Sequence, residues 1–278
     1  MTILIAGCGD LGTQAGLTFA ASGHRVVGWR RSPEKLPLGI EGAAVDLTRP
    51  LPALPEATDV VVIALTAGGR TEAAYRSTYY DGTVNLLNAF ERDGVKPRRI
   101  IFVSSTAVYG NDDGARIDES TLPSPATPTG KILRETETML IDQAPQTVLL
   151  RLSGIYGPGR TRLIDQVRSG AAPKSAPHWT NRIHRDDAAA AIVHLAGLEL
   201  PAPAYLGSDC EPAVLTDVHS FLADELRLPF GHDGAAPQPA TGKRCDSSLL
   251  HRSGFEFTYP TYREGYRAVL SGVGTRHP

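Results

Sequence analysis

The sequence predicts an α/β protein, a doubly wound parallel sheet with a smaller C-terminal lobe. Three observations predict it. Short β-branched runs alternate with longer amphipathic stretches through the first half, the pattern of βαβ units whose strands are covered on both faces. A glycine-rich turn, Gly7-Cys8-Gly9-Asp10-Leu11-Gly12, joins the first apolar run to the first helical stretch. After residue 155 the rhythm breaks, and Gly, Pro and Arg punctuate 156–182.

The elements follow in order. TILIAG (2–7) reads as a strand and 11–22 as a helix. HRVVGWR (24–30) is the second strand, and 44–46 forms a short third. DVVVIAL (59–65) is a strongly apolar strand, and 72–93 carries a long helical period. RRIIFVSS (98–105) and TVLLRLS (147–153) are further strands on either side of a helix at 128–143. Another helix covers 186–198, a Pro/Gly/Ala-rich loop covers 229–242, and FEFTYPTYREGYRAVLSG predicts a strand followed by a terminal helix.

Composition narrows the class. The chain has 278 residues, enough for one large domain with a lobe, and 41% are hydrophobic against 21% charged. A net charge of −2 gives no general attraction to nucleic acid or anionic lipid. Cys8, Cys210 and Cys245 are odd in number and unpaired in spacing, which fits a reducing compartment. The N-terminus lacks a basic leader and no apolar run reaches membrane-spanning length, so a cytoplasmic protein is expected. No metal site is expected, since His178 and His184 lack a ligand spacing. A nucleophile elbow and a P-loop lysine ending are also missing.

The glycine turn gains meaning from its place between a strand and a helix. Gly7 permits the tight turn, Gly9 lets backbone approach a pyrophosphate, and Gly12 lets the helix pack on the strand. The amides of Asp10, Leu11 and Gly12 then open a helix whose N-terminus favours phosphate. At the end of the second strand an NAD site places a carboxylate. Here the chain reads Arg30-Arg31-Ser32, which suits a ribose 2′-phosphate, so NADP is expected with NAD as the alternative. Asp46, after the third strand, either accepts from adenine or caps the next turn.

IIFVSSTAVYG (100–110), Lys131, RLSGIYGPGR (151–160) and NRIHRDDAAAAI (181–192) follow one another in a set order. Together with GCGDLG, YYDGTVNLLNAF (79–90) and TYREGY (261–266), this order resembles the extended short-chain dehydrogenase/reductase superfamily and its atypical, epimerase/dehydratase-like branch. The resemblance spans nearly the whole chain. It implies a dinucleotide-binding Rossmann domain over 1–154 and 181–207, and a substrate lobe over 155–180 and 208–278. It implies a small carbonyl- or sugar-like substrate and a homodimer formed through the helices at 72–93 and 128–143.

In that family a Ser of the SSxxVYG stretch bonds the substrate oxygen, which places Ser105 in the site. A Tyr four residues before a Lys passes the proton, and the Lys holds the nicotinamide ribose. Taking Lys131 as that Lys puts Thr127 where the Tyr belongs. Thr127-Pro128 also reads as N-cap and first residue of the helix, so on this reading the cofactor half of the motif survives and its proton-transfer half does not. Ser153 joins the expected cofactor contacts. Tyr109 is the candidate substitute donor, with Tyr75, Tyr79, Tyr80, Tyr156 and His184 as further possibilities. The alternative function is a non-catalytic, redox-sensing NAD(P)-binding protein.

Overall fold

The computed structural model describes residues 1–173, 177–231 and 240–278. Seven parallel strands form its central sheet: β1 (Thr2–Ala6), β2 (Arg25–Arg30), β3 (Glu41–Ala44), β4 (Thr58–Ile63), β5 (Arg99–Ser105), β6 (Thr147–Leu152) and β7 (Ala204–Gly207). Their order across the sheet is β7-β6-β5-β4-β1-β2-β3. The chain runs outward from β1 to β3, then crosses to β4 and runs outward the other way. The crevice above the C-terminal ends of β1 and β4 is thus the topological switch point, where open α/β sheets bind ligands.

Alternation along each strand divides the core. Ile3, Ile5, Val60 and Val62 face α1 (Asp10–Ala21) and the helix at Arg185–Gly197. Leu4, Ala6, Val61 and Ile63 face the helices Gly82–Asp93 and Pro128–Gln143. Both faces are therefore covered, as doubly wound folds require. Leu86, Phe90, Leu133 and Leu140 of the last two helices are buried on this sheet, whereas Val84 and Leu87 are half-buried and Ile141 is exposed.

Four features differ from the sequence expectations. The third strand lies at Glu41–Ala44 rather than 44–46. The stretch 72–93 is not one helix: Glu72–Tyr75 is α-helical, Arg76–Asp81 is a π-helix, and Gly82–Asp93 is α-helical again. A seventh strand, β7, was not foreseen, because AYLG is short and follows a Pro-broken loop. The FEFTY stretch forms no strand. Instead Asp187 accepts the amides of Thr258 and Tyr259 at 2.8 and 3.0 Å, which takes donors that a sheet ladder would need.

Beyond the sheet, Ala213–Val214, His178–Thr180 and Thr241–Gly242 make a small three-stranded sheet. A separate apolar cluster gathers Tyr156, Ile164, Val218, Leu222 and Tyr266 from the helices at Arg162–Arg168, Leu215–Leu226 and Tyr262–Leu270 and the strand Gly154–Tyr156. Most of the loop expected at 229–242 lies outside the described residues. No helix among the described residues is long and apolar enough to cross a membrane.

Candidate dinucleotide site

The glycine turn occupies the switch point. Gly7 has φ +86°, and a Cβ there would stand 2.6 Å from the Ala64 carbonyl oxygen at the end of β4. Only glycine accepts both constraints. A Cβ on Gly12 would meet Ile5 Cγ2 at 3.0 Å, so the helix lies tight against β1. Gly9 is different: a Cβ there would meet nothing within 4 Å. Its Cα faces open space, the close approach that a pyrophosphate needs. The amides of Gly7 and Cys8 are tied to the Trp29 carbonyl, at 3.0 and 2.9 Å, so β2 fixes the turn.

Two cavities meet at Gly9. The outer one, about 460 Å³, runs past Trp29, Arg30, Arg31, Ser32 and Asp46. Arg30, Arg31 and Ser32 therefore stand together at one end, as the sequence expects. Asp46 bends back to accept from the Thr48 amide and hydroxyl at 3.0 and 2.8 Å, which is its capping alternative. Arg30 donates to the Pro278 carbonyl at 2.8 Å.

The inner cavity, about 250 Å³, extends from Gly9, Asp10, Leu11 and Gly12 to Ser105 and Ser153. Asp10 is held by Arg160 Nε at 2.8 Å, Arg185 Nη1 at 2.7 Å and the His277 amide at 3.1 Å. Burial acts to raise this carboxyl, but Arg160, the His277 amide and Arg185 together hold it below its ordinary value. Two arginines thus neutralise an acid that would otherwise repel phosphate at the helix N-terminus.

The motif on the helix Pro128–Gln143 needs correction. Thr127 is the N-cap: its Oγ1 accepts the Gly130 amide at 3.1 Å, with Pro128 following. Lys131 is exposed and is not among the residues that line the cavity. Thr129 and Leu133 line it instead. Residues two apart on a helix point about 200° away from each other, so 127/131 and 129/133 cannot share a face.

The phase is fixed one turn further on, at Glu137, which continues the 129/133 stripe. Glu137 is fully buried and accepts from Arg151 Nε and Nη2 at 2.9 and 2.8 Å and from Ser104 Oγ at 2.7 Å. Arg151 on β6 and Ser104 on β5 therefore lock the rotation of the helix. On this phase Thr129 and Leu133, not Thr127 and Lys131, stand four apart on the cavity side of the helix, and Lys131 lies off the cavity.

Tyr109 does not line the inner cavity. It is 1% exposed, and its hydroxyl accepts from Arg151 Nη1 at 2.6 Å, inside the same buried network. Burial, opposed by Arg151, raises its phenol. The Tyr156 hydroxyl is buried among the lobe residues, and His184 caps the helix Arg185–Gly197 by accepting the Asp186 amide at 3.2 Å. Burial lowers the His184 imidazole, which keeps it neutral. Of the substitute donors, Tyr75 and Tyr79 line the inner cavity. Sequence reading underrated them because the π-turn that presents both has no sequence signature.

Known proteins resemble this chain in sequence and fold. The chain is 29% identical to Protein YeeZ of Escherichia coli K12 over 274 residues, covering 93% of this chain and 96% of YeeZ. A solved structure described as an NAD-dependent epimerase/dehydratase of Methylobacillus flagellatus superposes with a TM-score of 0.84 at 36% identity, over 98% of each chain. The UDP-glucuronic acid 4-epimerase of Bacillus cereus, solved with NAD, shares the fold with a TM-score of 0.77 at 20% identity, over 98% of this chain and 96% of that one. The sequence profile of the NAD dependent epimerase/dehydratase family matches residues 3–199, and with the glycine turn, the switch-point crevice and the sheet order in place, this chain belongs to that family.

Proposed function

We propose that the protein binds NADP(H) across the two cavities and exchanges a hydride with a small carbonyl- or sugar-like substrate, as an oxidoreductase or epimerase-like enzyme. The observation that carries the reading is Gly9: its open Cα joins a cavity ending at Arg30-Arg31-Ser32 to one ending at Ser105. On this reading the first turn of α1 holds the pyrophosphate, the two arginines and Ser32 hold the ribose phosphate, and the nicotinamide lies toward Ser105 and Ser153. The dinucleotide supplies the hydride chemistry, and the chain supplies orientation and a proton. Residues 1–154 and 181–207 form the cofactor-binding part, and 155–180 with 208–278 form the lobe that closes over the substrate. The NAD and UDP-sugar ligands of distant structural neighbours support the same class of chemistry.

A second reading, a binding protein without turnover, is favoured by one observation. Thr129 and Leu133 offer neither phenol nor ammonium where the family's pair would stand. Titration of NADP(H) and NAD(H) against the wild type and Arg30→Ala tests the cofactor assignment. The wild type should prefer NADP(H). Arg30→Ala should lose roughly 1.5–3 kcal/mol for NADP(H), the worth of a bond to a charged group, and little for NAD(H). Equal wild-type affinity for both would refute it.

A further inference from the structure

We infer that Tyr75 is the proton donor of this site, acting on a carbonyl oxygen held beside Ser105; the inference rests on the dinucleotide reading above. The hydroxyls that line the inner cavity single it out. The Ser104 proton goes to Glu137 and the Ser153 proton to the Gly207 carbonyl at 3.1 Å. The Tyr79 proton goes to the Leu65 carbonyl at 3.1 Å, and burial pushes that phenol up to about 12. Thr129 lies 3.3 Å from the Thr127 hydroxyl, which already serves as a cap. Ser105 Oγ accepts the Ala107 amide at 3.1 Å, which leaves its own proton free. Tyr75 and Thr66 also line the cavity, and neither hydroxyl has a hydrogen-bond partner among the described residues. Tyr75 is thus the one phenol that reaches the cavity with an uncommitted proton, and a phenol is a far better acid than an aliphatic alcohol.

Local structure explains its placement. The π-helix Arg76–Asp81 follows directly after Tyr75, and such wide turns often mark functional sites. It leaves Tyr75 and Tyr79 both on the cavity side, with ring centroids 5.1 Å apart. The Tyr79–Leu65 bond anchors that ring pair. An ion pair between Arg76 and Glu135, 2.8 Å, ties this segment to the helix that carries Thr129. The phenol therefore enters from the helix facing the one on which the family places it.

The step balances. The carbonyl carbon accepts a hydride from the reduced dinucleotide while the C=O π electrons move to oxygen. The Tyr75 O–H bond breaks, its proton goes to that oxygen, and solvent reprotonates the phenolate. The products are an alcohol and the oxidised dinucleotide. No lysine lines the cavity, so Tyr75 acts as a neutral donor without an ammonium beside it.

The test uses an oxyanion probe. Para-nitrophenolate is titrated into the NADP⁺-loaded protein and followed by its absorbance shift, for the wild type, Tyr75→Phe, Ser105→Ala and Tyr80→Phe. The wild type should bind it. Tyr75→Phe, which keeps the ring contact with Tyr79, should weaken binding by about ten- to a hundredfold, the loss of one bond to an anion. Ser105→Ala should also weaken it, and Tyr80→Phe should not. Tyr75→Phe and Tyr80→Phe should bind NADP⁺ as the wild type does. A wild type that fails to bind NADP⁺ overturns the dinucleotide reading itself. A loaded wild type that ignores the probe, or a Tyr75→Phe that binds it equally well, overturns the assignment of Tyr75. Should Tyr75→Phe fail to fold, the ring-labelled Tyr75 resonance of the wild type decides: it must move when the probe binds.

Discussion

Replacing Glu137 with alanine should be the most damaging single change near the site. The side chain is fully buried, and its two oxygens take bonds from Arg151 at 2.9 and 2.8 Å and from Ser104 at 2.7 Å. Arg134 adds a contact at 3.2 Å but is partly exposed, so its share is small. Alanine leaves Arg151, a residue 4% exposed in the wild type, with only the Tyr109 hydroxyl as partner. Breaking a buried pair from one side costs about 3–5 kcal/mol, because the remaining charge has neither water nor a counterion. At about 2–4 °C per kcal/mol for a protein near this size, the melting temperature should fall by the order of ten degrees. The assay is urea denaturation and a thermal melt. Glu137→Leu combined with Arg151→Met, which removes both charges, should recover part of the loss. If Glu137→Ala stays within about 1 kcal/mol of the wild type, the pair does not hold the helix and the phase argument for Thr129 and Leu133 loses its physical basis.

Thr127→Ala should cost about 0.5–2 kcal/mol in a melt, as N-cap losses do, and leave NADP(H) affinity unchanged. Lys131→Ala should leave both stability and cofactor affinity unchanged in the same pair of assays, since the side chain is exposed and off the cavity. Asp10 has a folded value below its ordinary one, so its contribution to stability is present above the usual carboxylate range and is lost as pH falls through the lowered value. Asp10→Asn should remove that part of the acid limb in denaturation curves. Asp209 is the opposite case: burial, opposed by Arg182, pushes its carboxyl up to about 8. The folded protein then holds a proton that the unfolded chain has released, so stability falls as pH rises from the ordinary carboxylate range to about 8. Asp209→Asn should flatten this decline in urea titrations across that range.

Five of the sheet's seven strands were legible because they are β-branched runs bounded by breakers, and burial on both faces leaves little else that such runs can do, whereas EGAA and AYLG hold no β-branched residue. The phosphate turn was legible for a related reason. Gly7 and Gly12 each meet a steric demand of the packed turn, and Gly9 leaves its Cα bare toward open space, so identity and geometry correspond. Less could be read where geometry depends on partners distant in sequence. The π-turn at Arg76–Asp81 looks like ordinary helix, and Asp187 suppresses a strand 71 residues away. Tyr109 sits in a motif and next to a turn, yet Arg151, 42 residues away, draws its hydroxyl inward.

The helix phase shows how a motif can be misplaced by a residue of the right type. Lys131 invited the frame 127/131, although Thr127 already had a complete role as N-cap. A capping oxygen is turned toward the amides of the first helical turn, so it is a poor candidate to face a ligand. Counting from Glu137 gives the other frame, because a carboxylate buried on a helix needs a cation on the sheet, and Arg151 supplies it. That frame also explains why neither residue of the motif's pair stands at 129 and 133. An ammonium at 133 would lie at a 4%-exposed position within the core cluster. With a phenol four residues earlier it would gain a partner and a function there. Beside Thr129 it would be an uncompensated charge at an apolar wall, which costs far more than leucine packing. Once the phenol is absent from 129, leucine at 133 is the lower-energy choice, and any proton must come from another wall of the cavity.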